Sequence, residues 1–482
     1  MSEKQKKAIT LTVIGIFLML TSYLTIKDMY WLAGAFPIAI ALVWMYIFRL
    51  DWVMFLIAFS TPIAIGLENF NLGFNVSIPS EPLMLGVLGV FFVKTLFEGG
   101  YNKKALKHPV TLLIIAHLVW LFFTSITSEL PLVSIKHSLS RLWFVTTSFF
   151  VAVLLFKELK NIRTFFWFYI ASLIIVIVYT TNIHAQYGFS EKVGHWAMSP
   201  FYNDHTAYGA ILALLLPFSL SGVFAKKTYS KSYRIISLIA SIILLGALFL
   251  SYSRAAWLSI IGAIGVWVVI LLKIKFKYIF GILGILLIIG FSFQHQIIDY
   301  LEDNNQESSG DFLEHVQSMS NISTDASNME RINRWQSAIR MFEARPVVGW
   351  GPGTYQFVYA PFQHSKEKTI ISTNFGDVGS SHSEYLGALS ESGLAGMVLF
   401  LMIAFFTLHR ALVIYQQSKN QEVRMIALYT LLGLTTYFLH GFLNAFLDTD
   451  KLSVPFWAMV ATIVALDIFH YKTDTQEEKK LL

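Results

Sequence analysis

Apolar stretches about as long as a bilayer is thick recur along the whole chain, and they restrict the fold more than any other feature. A helix needs about 20 predominantly apolar residues to cross a membrane. Fourteen windows of roughly this kind lie at 8–25, 30–48, 52–67, 82–97, 109–127, 142–156, 164–183, 206–224, 235–251, 255–272, 278–293, 393–409, 425–446 and 453–470. Only 14% of the residues are charged, whereas a soluble domain carries about a quarter. The sequence therefore predicts an all-α polytopic membrane protein with about 14 transmembrane helices, within a range of 12–14.

The basic residues favour one side of these helices. When the N-terminus is placed in the cytoplasm, 24 of the 36 Lys and Arg fall on the cytoplasmic side, six in short outer connections and six in the long segment 294–392. Cytoplasmic loops of membrane proteins carry an excess of Lys and Arg. We therefore expect both termini in the cytoplasm and the long segment outside.

The long segment 294–392 separates the helices before it from those after it, and we use it to define regions of the chain. We divide the chain into helices one to seven at 1–204, helices eight to eleven at 205–293, a large, partly helical outer loop at 294–392, and helices twelve to fourteen with a cytoplasmic tail at 393–482. The polar and acidic stretch 303–328 of the loop is typical of a flexible insertion.

A helix should follow this stretch. Ser327-Asn328-Met329-Glu330 matches the capping box Ser/Thr-x-x-Glu, and the helix that it opens should end before Pro346. The predicted apolar face consists of Ile332, Trp335, Ile339 and Phe342. Beyond it, the run Gly349-Trp350-Gly351-Pro352-Gly353 lacks the Gly-Lys-Ser/Thr ending of a nucleotide loop. It favours a tight turn that brings backbone close to another segment.

Two groups of arginines are candidates for an anion site. Arg254 follows Ser251-Tyr252-Ser253 in a very short turn between helices nine and ten, while Arg331 and Arg334 are three apart on the predicted outer helix and share a face. A guanidinium at the membrane surface binds phosphate or diphosphate in a bidentate manner. The alternative interpretations are an arginine that snorkels to the interface and a solvated helix face.

Other polar residues lie near the same predicted surface. Ser381-His382-Ser383-Glu384 precedes helix twelve, and Glu391 follows within it. Histidine is the natural general base near neutral pH, although a lone loop histidine usually has no such role. Asn203-Asp204-His205 enters helix eight and is a secondary candidate, as are Glu384 and Glu391. His440, Asn444 and Asp448 form one stripe on helix thirteen, for which hydrogen bonding between helices is the simpler interpretation.

Several functions are disfavoured by what the sequence lacks. The chain contains no cysteine, which excludes disulfides, thiolate catalysis, zinc–thiolate sites and iron–sulfur clusters. No pattern of metal ligands stands out, since the spacing of His184, His195 and His205 matches no ligand signature. Neither midplane carboxylates nor broken helices, which ion-coupled transporters need, stand out either. We therefore expect no cofactor, no metal and no nucleic-acid partner.

Taken together, four segments resemble the O-antigen ligase/polymerase superfamily of bacterial membrane glycosyltransferases. Ser253-Arg254-Ala255-Ala256-Trp257 is similar to the family's helix start Ser-Arg-Gly/Ala-x-Trp/Leu, and Arg331-x-x-x-Trp335 with Pro346-x-x-Gly349-x-Gly351-x-Gly353 is similar to its outer-loop signature. His382-Ser383, nine residues and Gly393-x-x-Gly396 fit the ligase pattern. The segment from Pro200 to Gly209 resembles an asparagine-containing family segment, with the usual Pro-Asn pair spread apart. The similarity covers roughly residues 195–410.

The resemblance implies a GT-C-type enzyme of the bacterial inner membrane. Such an enzyme transfers a glycan from an undecaprenyl (polyprenyl) diphosphate carrier to an acceptor hydroxyl on the periplasmic face, lipid A–core in an O-antigen ligase. It implies that Arg254 and Arg331 bind the donor diphosphate without a metal, with Arg334 secondary, and that His382 is the base. Family ligases are described with about twelve spans, fewer than the fourteen windows here.

Three alternatives stay open. An O-antigen or exopolysaccharide polymerase, or a protein O-oligosaccharyltransferase of the same superfamily, would share the donor and differ only in the acceptor. A flippase or transporter of lipid-linked oligosaccharides would explain the many helices, but it is disfavoured by the single outer loop and the lack of paired halves. A structural or sensory membrane protein would leave the arginine and histidine clusters without a role.

Overall fold

The computed structural model describes residues 15, 17–23, 25–67, 76–97, 100–224, 228–274, 326–369, 372 and 379–471. Its long helices, numbered along the chain, are α1 (Tyr30–Phe48), α2 (Leu50–Ile63), α3 (Ser80–Phe97), α4 (Pro109–Ile126), α5 (Pro131–Leu155), α6 (Leu159–Gln186), α7 (His205–Phe224), α8 (Lys231–Leu250), α9 (Arg254–Leu271), α10 (Ala326–Ala344), α11 (Glu384–Gln417), α12 (Gln421–His440) and α13 (Asp450–Tyr471). Short helices lie at Lys103–Leu106, Glu191–Gly194 and Tyr355–Val358, a 3₁₀ turn at Ala360–Phe362, and a two-stranded antiparallel ribbon pairs Ile65–Gly66 with Ser77–Ile78.

The all-α polytopic class is confirmed. In the described part of the chain, nine helices are long and apolar enough to cross a membrane, and α1 and α2 provide shorter apolar helices. The predicted window 278–293 and most of the predicted insertion 303–328 lie outside the described residues, as does much of window 8–25. The number fourteen therefore stays a prediction.

Helix starts follow ordinary capping chemistry. The hydroxyl of Ser253 accepts a hydrogen bond from the backbone N–H of Ala256 at the start of α9, and Ser383 does the same for Leu386 in α11. Asp204 caps α7, since its carboxylate accepts the N–H groups of Thr206 (2.7 Å) and Ala207 (2.8 Å). Serine and aspartate at these positions satisfy N–H groups that a helix leaves unpaired. These caps fix where the outer ends of the helices lie.

The membrane part is organised around α7 and α13, whose side chains are largely buried. Trp457 and Phe456 of α13 are fully buried, and Phe456 packs against Tyr437 of α12. On the other side, Phe218 of α7 packs on Phe166 of α6 with ring centroids 4.5 Å apart. Since both helices are surrounded by neighbours, their ends are held in place on every side.

Ion pairs between helix ends agree with the two membrane sides that the positions of Lys and Arg predict. At one end, the carboxylate of Asp467 binds His108 (3.0 Å) and Arg410 (2.7 Å). At the opposite end of α13, Asp448 binds Arg141 (2.6 Å). The sequence assigns the first three residues to one side of the membrane and the last two to the other. The alternation of helix directions predicted from the windows is therefore consistent with the contacts.

The outer helix α10 is present and ends before Pro346, as predicted, but its packing differs from the prediction. The supposed capping residue Glu330 is buried, and its carboxylate binds Arg334 (2.8 Å) and Thr369 (3.1 Å). The face predicted to be apolar is only half-buried. The buried positions are Glu330, Asn333, Arg334, Ser337, Ala338 and Met341. This polar face forms long-range hydrogen bonds with Tyr355, Gln363, Thr369, Ser372 and Ser380. Sequence periodicity cannot anticipate such partners.

Candidate active site

Four elements bring their polar and charged residues together at one end of the helices. They are the start of α7 with Asp204 and His205, the start of α9 with Arg254, the first turns of α10 with Arg331, and the loop 379–383 with His382. Arg254 and Arg331 both act electrostatically on the His205 ring, and Arg331 and Asp204 act on His382. The structure therefore gathers the two arginines and the histidine that the sequence singled out.

A glycine permits the close contact between α7 and α9. A Cβ atom on Gly209 would lie 2.6 Å from the Cβ of Ser253 and 3.1 Å from that of Ala256. Gly209 is one turn beyond His205, and Ser253 directly precedes Arg254. The absence of a side chain at Gly209 thus lets His205 and Arg254 lie at adjoining helix starts.

The electrostatic field around this cluster favours the binding of an anion. The N-termini of α7, α9 and α11 open at the cluster, and helix N-termini carry a partial positive charge with unpaired N–H groups. The guanidiniums of Arg254 and Arg331 add to this field. The carboxylate of Asp204, engaged in the cap of α7, acts electrostatically on both His205 and His382.

Arg334 occupies a different place from Arg331. Its side chain is buried, pairs with Glu330 (2.8 Å), donates to the carbonyl of Ser380 (3.1 Å) and lies over the Tyr359 ring at 5.1 Å. The hydroxyl of Tyr355 donates to its carbonyl oxygen (2.8 Å). Arg334 therefore holds the loop that carries His382, whereas Arg331, one turn earlier and half-buried, lies beside that loop.

His382 sits in a restrained conformation. Its φ is 51°, in the left-handed region that residues other than glycine seldom adopt, and the indole of Trp335 donates to its carbonyl (3.3 Å). Burial lowers the pKa of His382 to about 4, and the charges of Arg331 and Arg334 act in the same direction. The imidazole is consequently neutral near pH 7 and able to accept a proton.

A break in α11 joins the outer segment to the membrane part. Gly393 has φ 70° and ψ −173° in the middle of the helix. The carbonyl oxygens just before it accept hydrogen bonds from outside the helix: that of Ser390 from Trp350 N (3.0 Å), that of Glu391 from Gly351 N (2.8 Å) and that of Ser392 from the Trp120 indole (2.8 Å). The expectation that no broken helix stands out was therefore wrong. A single glycine in a helical pattern does not reveal which backbone will replace the lost bonds.

The glycine run acts as predicted. Gly349, Gly351 and Gly353 all have positive φ. A Cβ atom on Gly349 would lie 2.4 Å from the carbonyl carbon of Glu391, and one on Gly351 would lie 2.0 Å from the Ser128 hydroxyl. The run is a tight turn pressed against the break in α11, which explains why the two glycine motifs occur together.

A family model described as O-antigen ligase matches residues 239–401, about a third of the chain. This match supports membership of the O-antigen ligase superfamily. No curated protein matches the chain. The matched region contains Arg254, Arg331 and His382, while Asp204 and His205 precede it. The inclusion of those two residues in the cluster rests on the geometry alone.

The two glutamates predicted as secondary site residues bind backbone. Glu384 accepts the N–H groups of Phe446 (2.8 Å) and Leu447 (3.0 Å), and Glu391 accepts that of Tyr355 (2.9 Å). Asn203 is exposed in the turn before α7. Glu384 and Glu391 thus shape the walls of the site, and neither is placed beside the two arginines by these contacts.

The prediction that His440, Asn444 and Asp448 form one stripe on helix thirteen is wrong. This helix is α12 of the structure, and it ends at His440. The carbonyl of Gly441 accepts a hydrogen bond from the N–H of Glu384 (2.9 Å). The Glu384 carboxylate accepts the N–H groups of residues 446–447, which therefore do not continue the helix. Asn444 still contacts the His440 ring (3.2 Å), but Asp448 lies in the following connection and pairs with Arg141.

The sequence analysis missed one neighbour of the cluster. The ring of His195 stacks on that of His205, with centroids 4.2 Å apart. His184, the third histidine considered there, instead contacts the carbonyl of Ser190 (2.8 Å). Within the described ranges, no group of three or more His, Asp or Glu is arranged to hold a metal ion.

Proposed function

We propose that this protein is a glycosyltransferase that transfers a glycan from a polyprenyl diphosphate, undecaprenyl diphosphate in bacteria, to an acceptor hydroxyl at the outer face of the inner membrane. The proposed acceptor is lipid A–core, as in an O-antigen ligase of lipopolysaccharide biosynthesis. The observation that carries the proposal is the convergence of Arg254 and Arg331 on His205, with Arg331 also acting on a neutral, buried His382.

The proposed chemistry follows from the charges. The acceptor oxygen forms a bond to the anomeric carbon, while the bond from that carbon to the diphosphate oxygen breaks and its electron pair leaves with the diphosphate. His382 takes the hydroxyl proton. Arg254, Arg331 and the helix N-termini stabilise the negative charge that accumulates on the leaving group. In this proposal two guanidiniums supply the charge that other transferases obtain from a divalent cation.

The location of the cluster supports a lipid-linked donor. Arg254 begins a helix long and apolar enough to cross the membrane, so its guanidinium lies where a span meets the surface. A carrier whose chain is in the bilayer presents its diphosphate at the same depth. Arg331, contributed by the outer helix, would bind the diphosphate from the opposite direction.

Reconstitution tests the proposal and its nearest rival. Purified protein in proteoliposomes is supplied with a polyprenyl diphosphate-linked glycan and, in separate reactions, with lipid A–core, free glycan acceptor or acceptor protein. Gain of mass by lipid A–core supports the ligase assignment. Elongation of glycan or modification of protein would favour the polymerase or the protein O-oligosaccharyltransferase, and transport without transfer would contradict a transferase. The rate should be the same in EDTA if no metal takes part.

A further inference from the structure

A second polar space lies on the other side of the His382 loop. It is a cavity of about 370 Å³ between α4, α5, the loop 351–356 and the outer half of α11. Ser380, Ser381 and Ser383 form part of its wall, so the cavity adjoins the segment that carries His382, whereas Arg254 and Arg331 are not among its lining residues. Its volume lies within the range of sites for small organic ligands.

The charged groups of the cavity are arranged around one carboxylate. Asp448 binds Arg141 at 2.6 Å and lies 3.6 Å from the His137 ring. The side chain of Asp448 is 51% exposed, whereas those of Arg141 and His137 are 10% and 16% exposed. A charge pair that is enclosed by helices yet open toward a cavity is placed to bind a ligand rather than to fill a core.

Asp448 is suited to accept hydrogen bonds. Burial raises the pKa of this carboxyl, but the charges of His137 and Arg141 outweigh burial and hold the pKa below its ordinary value. The carboxylate is held in position because the Glu384 side chain binds the N–H groups of Phe446 and Leu447, directly before it. The acceptor is therefore both charged and fixed.

The charged and aromatic side chains that line the cavity favour a neutral, hydroxyl-rich ligand. A phosphate would meet the carboxylate of Asp448 in this space, and an acyl chain would leave Arg141 without solvation. Sugar hydroxyls both donate and accept, so they can bind to a guanidinium and a carboxylate together. Tyr355 and Phe400 provide apolar surface for the C–H face of a ring.

We propose that this cavity binds one pyranose residue of a glycan next to the bond that is formed, a role that rests on the proposed glycosyl transfer. That residue belongs either to the acceptor or to the sugar chain of the donor, and the chemistry of recognition is the same. Arg141, Asp448 and His137 are positioned to bind its hydroxyls and are distinct from the groups assigned to the diphosphate.

The test measures the KM of each substrate separately in proteoliposomes. Asp448→Asn removes the charge at constant size, and Ala388→Phe fills the cavity from α11 without touching the ion pair. Each should raise the KM for one substrate by about tenfold, the effect of losing one or two hydrogen bonds to a charged group, with a much smaller change in kcat. A rise for lipid A–core alone assigns the residue to the acceptor, and a rise for the donor alone assigns it to the donor glycan. Unchanged KM values, or a loss confined to kcat, would overturn the proposal.

Two controls separate this proposal from the one on which it rests. Glu129→Gln alters an exposed ion pair with Arg345 away from the cavity and should leave both KM values unchanged. Binding of polyprenyl diphosphate without a glycan should be weakened by Arg254→Ala and unaffected by Asp448→Asn. If Arg254→Ala does not weaken it, the proposed diphosphate site fails. If it does, while Asp448→Asn and Ala388→Phe leave both KM values intact, only the sugar site fails.

Discussion

The guanidinium of Arg334 donates a hydrogen bond to the carbonyl oxygen of Ser380 at 3.1 Å, and this contact joins the helix that carries Arg331 to the loop that carries His382. Arg334 also neutralises the buried carboxylate of Glu330. Two residues assigned to opposite tasks, anion binding and proton transfer, are thus held at a fixed separation by a third.

Arg334→Ala should therefore destabilise the protein. It leaves Glu330 charged and unpaired in a site where both side chains are at most 6% exposed, and breaking a buried pair in this way costs about 3–5 kcal/mol. Arg345→Ala is the matched control, because its pair with Glu129 is exposed and contributes about 0–1 kcal/mol. Thermal unfolding in detergent compares the two variants. Equal melting temperatures would contradict the anchoring role of Arg334.

Loss of either arginine of the anion site should reduce transfer without unfolding the protein. Arg254→Ala and Arg331→Ala each remove a charge-assisted contact worth about 1.5–3 kcal/mol, so the rate should fall more than tenfold. Arg331→Lys should also be impaired, because the planar fork is lost. Initial rates with lipid-linked glycan, together with gel filtration, provide the measurement. A variant with near-normal rates would exclude its arginine from the site.

The pH dependence of transfer should reflect the environment of His382. The base must be neutral, and its pKa is lowered to about 4, so the rate should hold between neutral pH and about pH 5 and fall as the pH drops through the pKa. His382→Gln keeps a hydrogen-bonding side chain but cannot take up the proton, and should lose about 10²–10⁴-fold. A fully active Gln variant would show that the residue only orients the acceptor.

The break in α11 should be intolerant of a side chain. Gly393→Ala forces a residue with a Cβ to φ 70° and brings that atom within 2.1 Å of the Val347 carbonyl oxygen, which costs at least about 1–3 kcal/mol. Gly246→Ala is the control, since it lies within α8 with open space around it. There alanine should stabilise by about 0.5–1 kcal/mol. Melting temperatures that move in the same direction for both variants would refute this account of Gly393.

The orientation in the membrane can be tested by cysteine labelling, because the chain has no cysteine of its own. Ser365→Cys lies in the outer segment and Lys157→Cys at a predicted cytoplasmic end, and both positions are exposed. In intact spheroplasts, an impermeant thiol reagent should modify the first and reach the second only after lysis. The reverse pattern would invert the topology.

The parts of this structure that follow from local chemistry were predictable from the sequence. Apolar windows located the helices, and the short turn before Arg254 and the tight turn at Gly349 were recognised because each depends on a few consecutive residues. The family resemblance singled out His382 and the two arginines, and the match to residues 239–401 supports that resemblance. The roles of the three residues stay predictions.

The parts that depend on distant partners were not predictable. Glu330 matched a capping box, but its carboxylate is bound by Thr369 and Ser372, which lie 39 and 42 positions away in the chain. Arg141 was counted only as an outer charge, and nothing in the sequence pairs it with Asp448, 307 residues later. The end of α12 at His440 is likewise set by Glu384, which binds backbone that periodicity alone would continue as helix.

The interruption at Gly393 has a thermodynamic consequence for how substrates enter. The carbonyl oxygens of residues 390–392 are satisfied by Trp350, Gly351 and Trp120, and unpaired carbonyls near a bilayer cost several kcal/mol each. Lifting the turn at residues 349–351 away from α11 would strand two of them at once, which disfavours a cap that swings open at this turn. We expect a lipid-borne substrate to reach the arginines by sideways diffusion from the bilayer, between walls that stay in place.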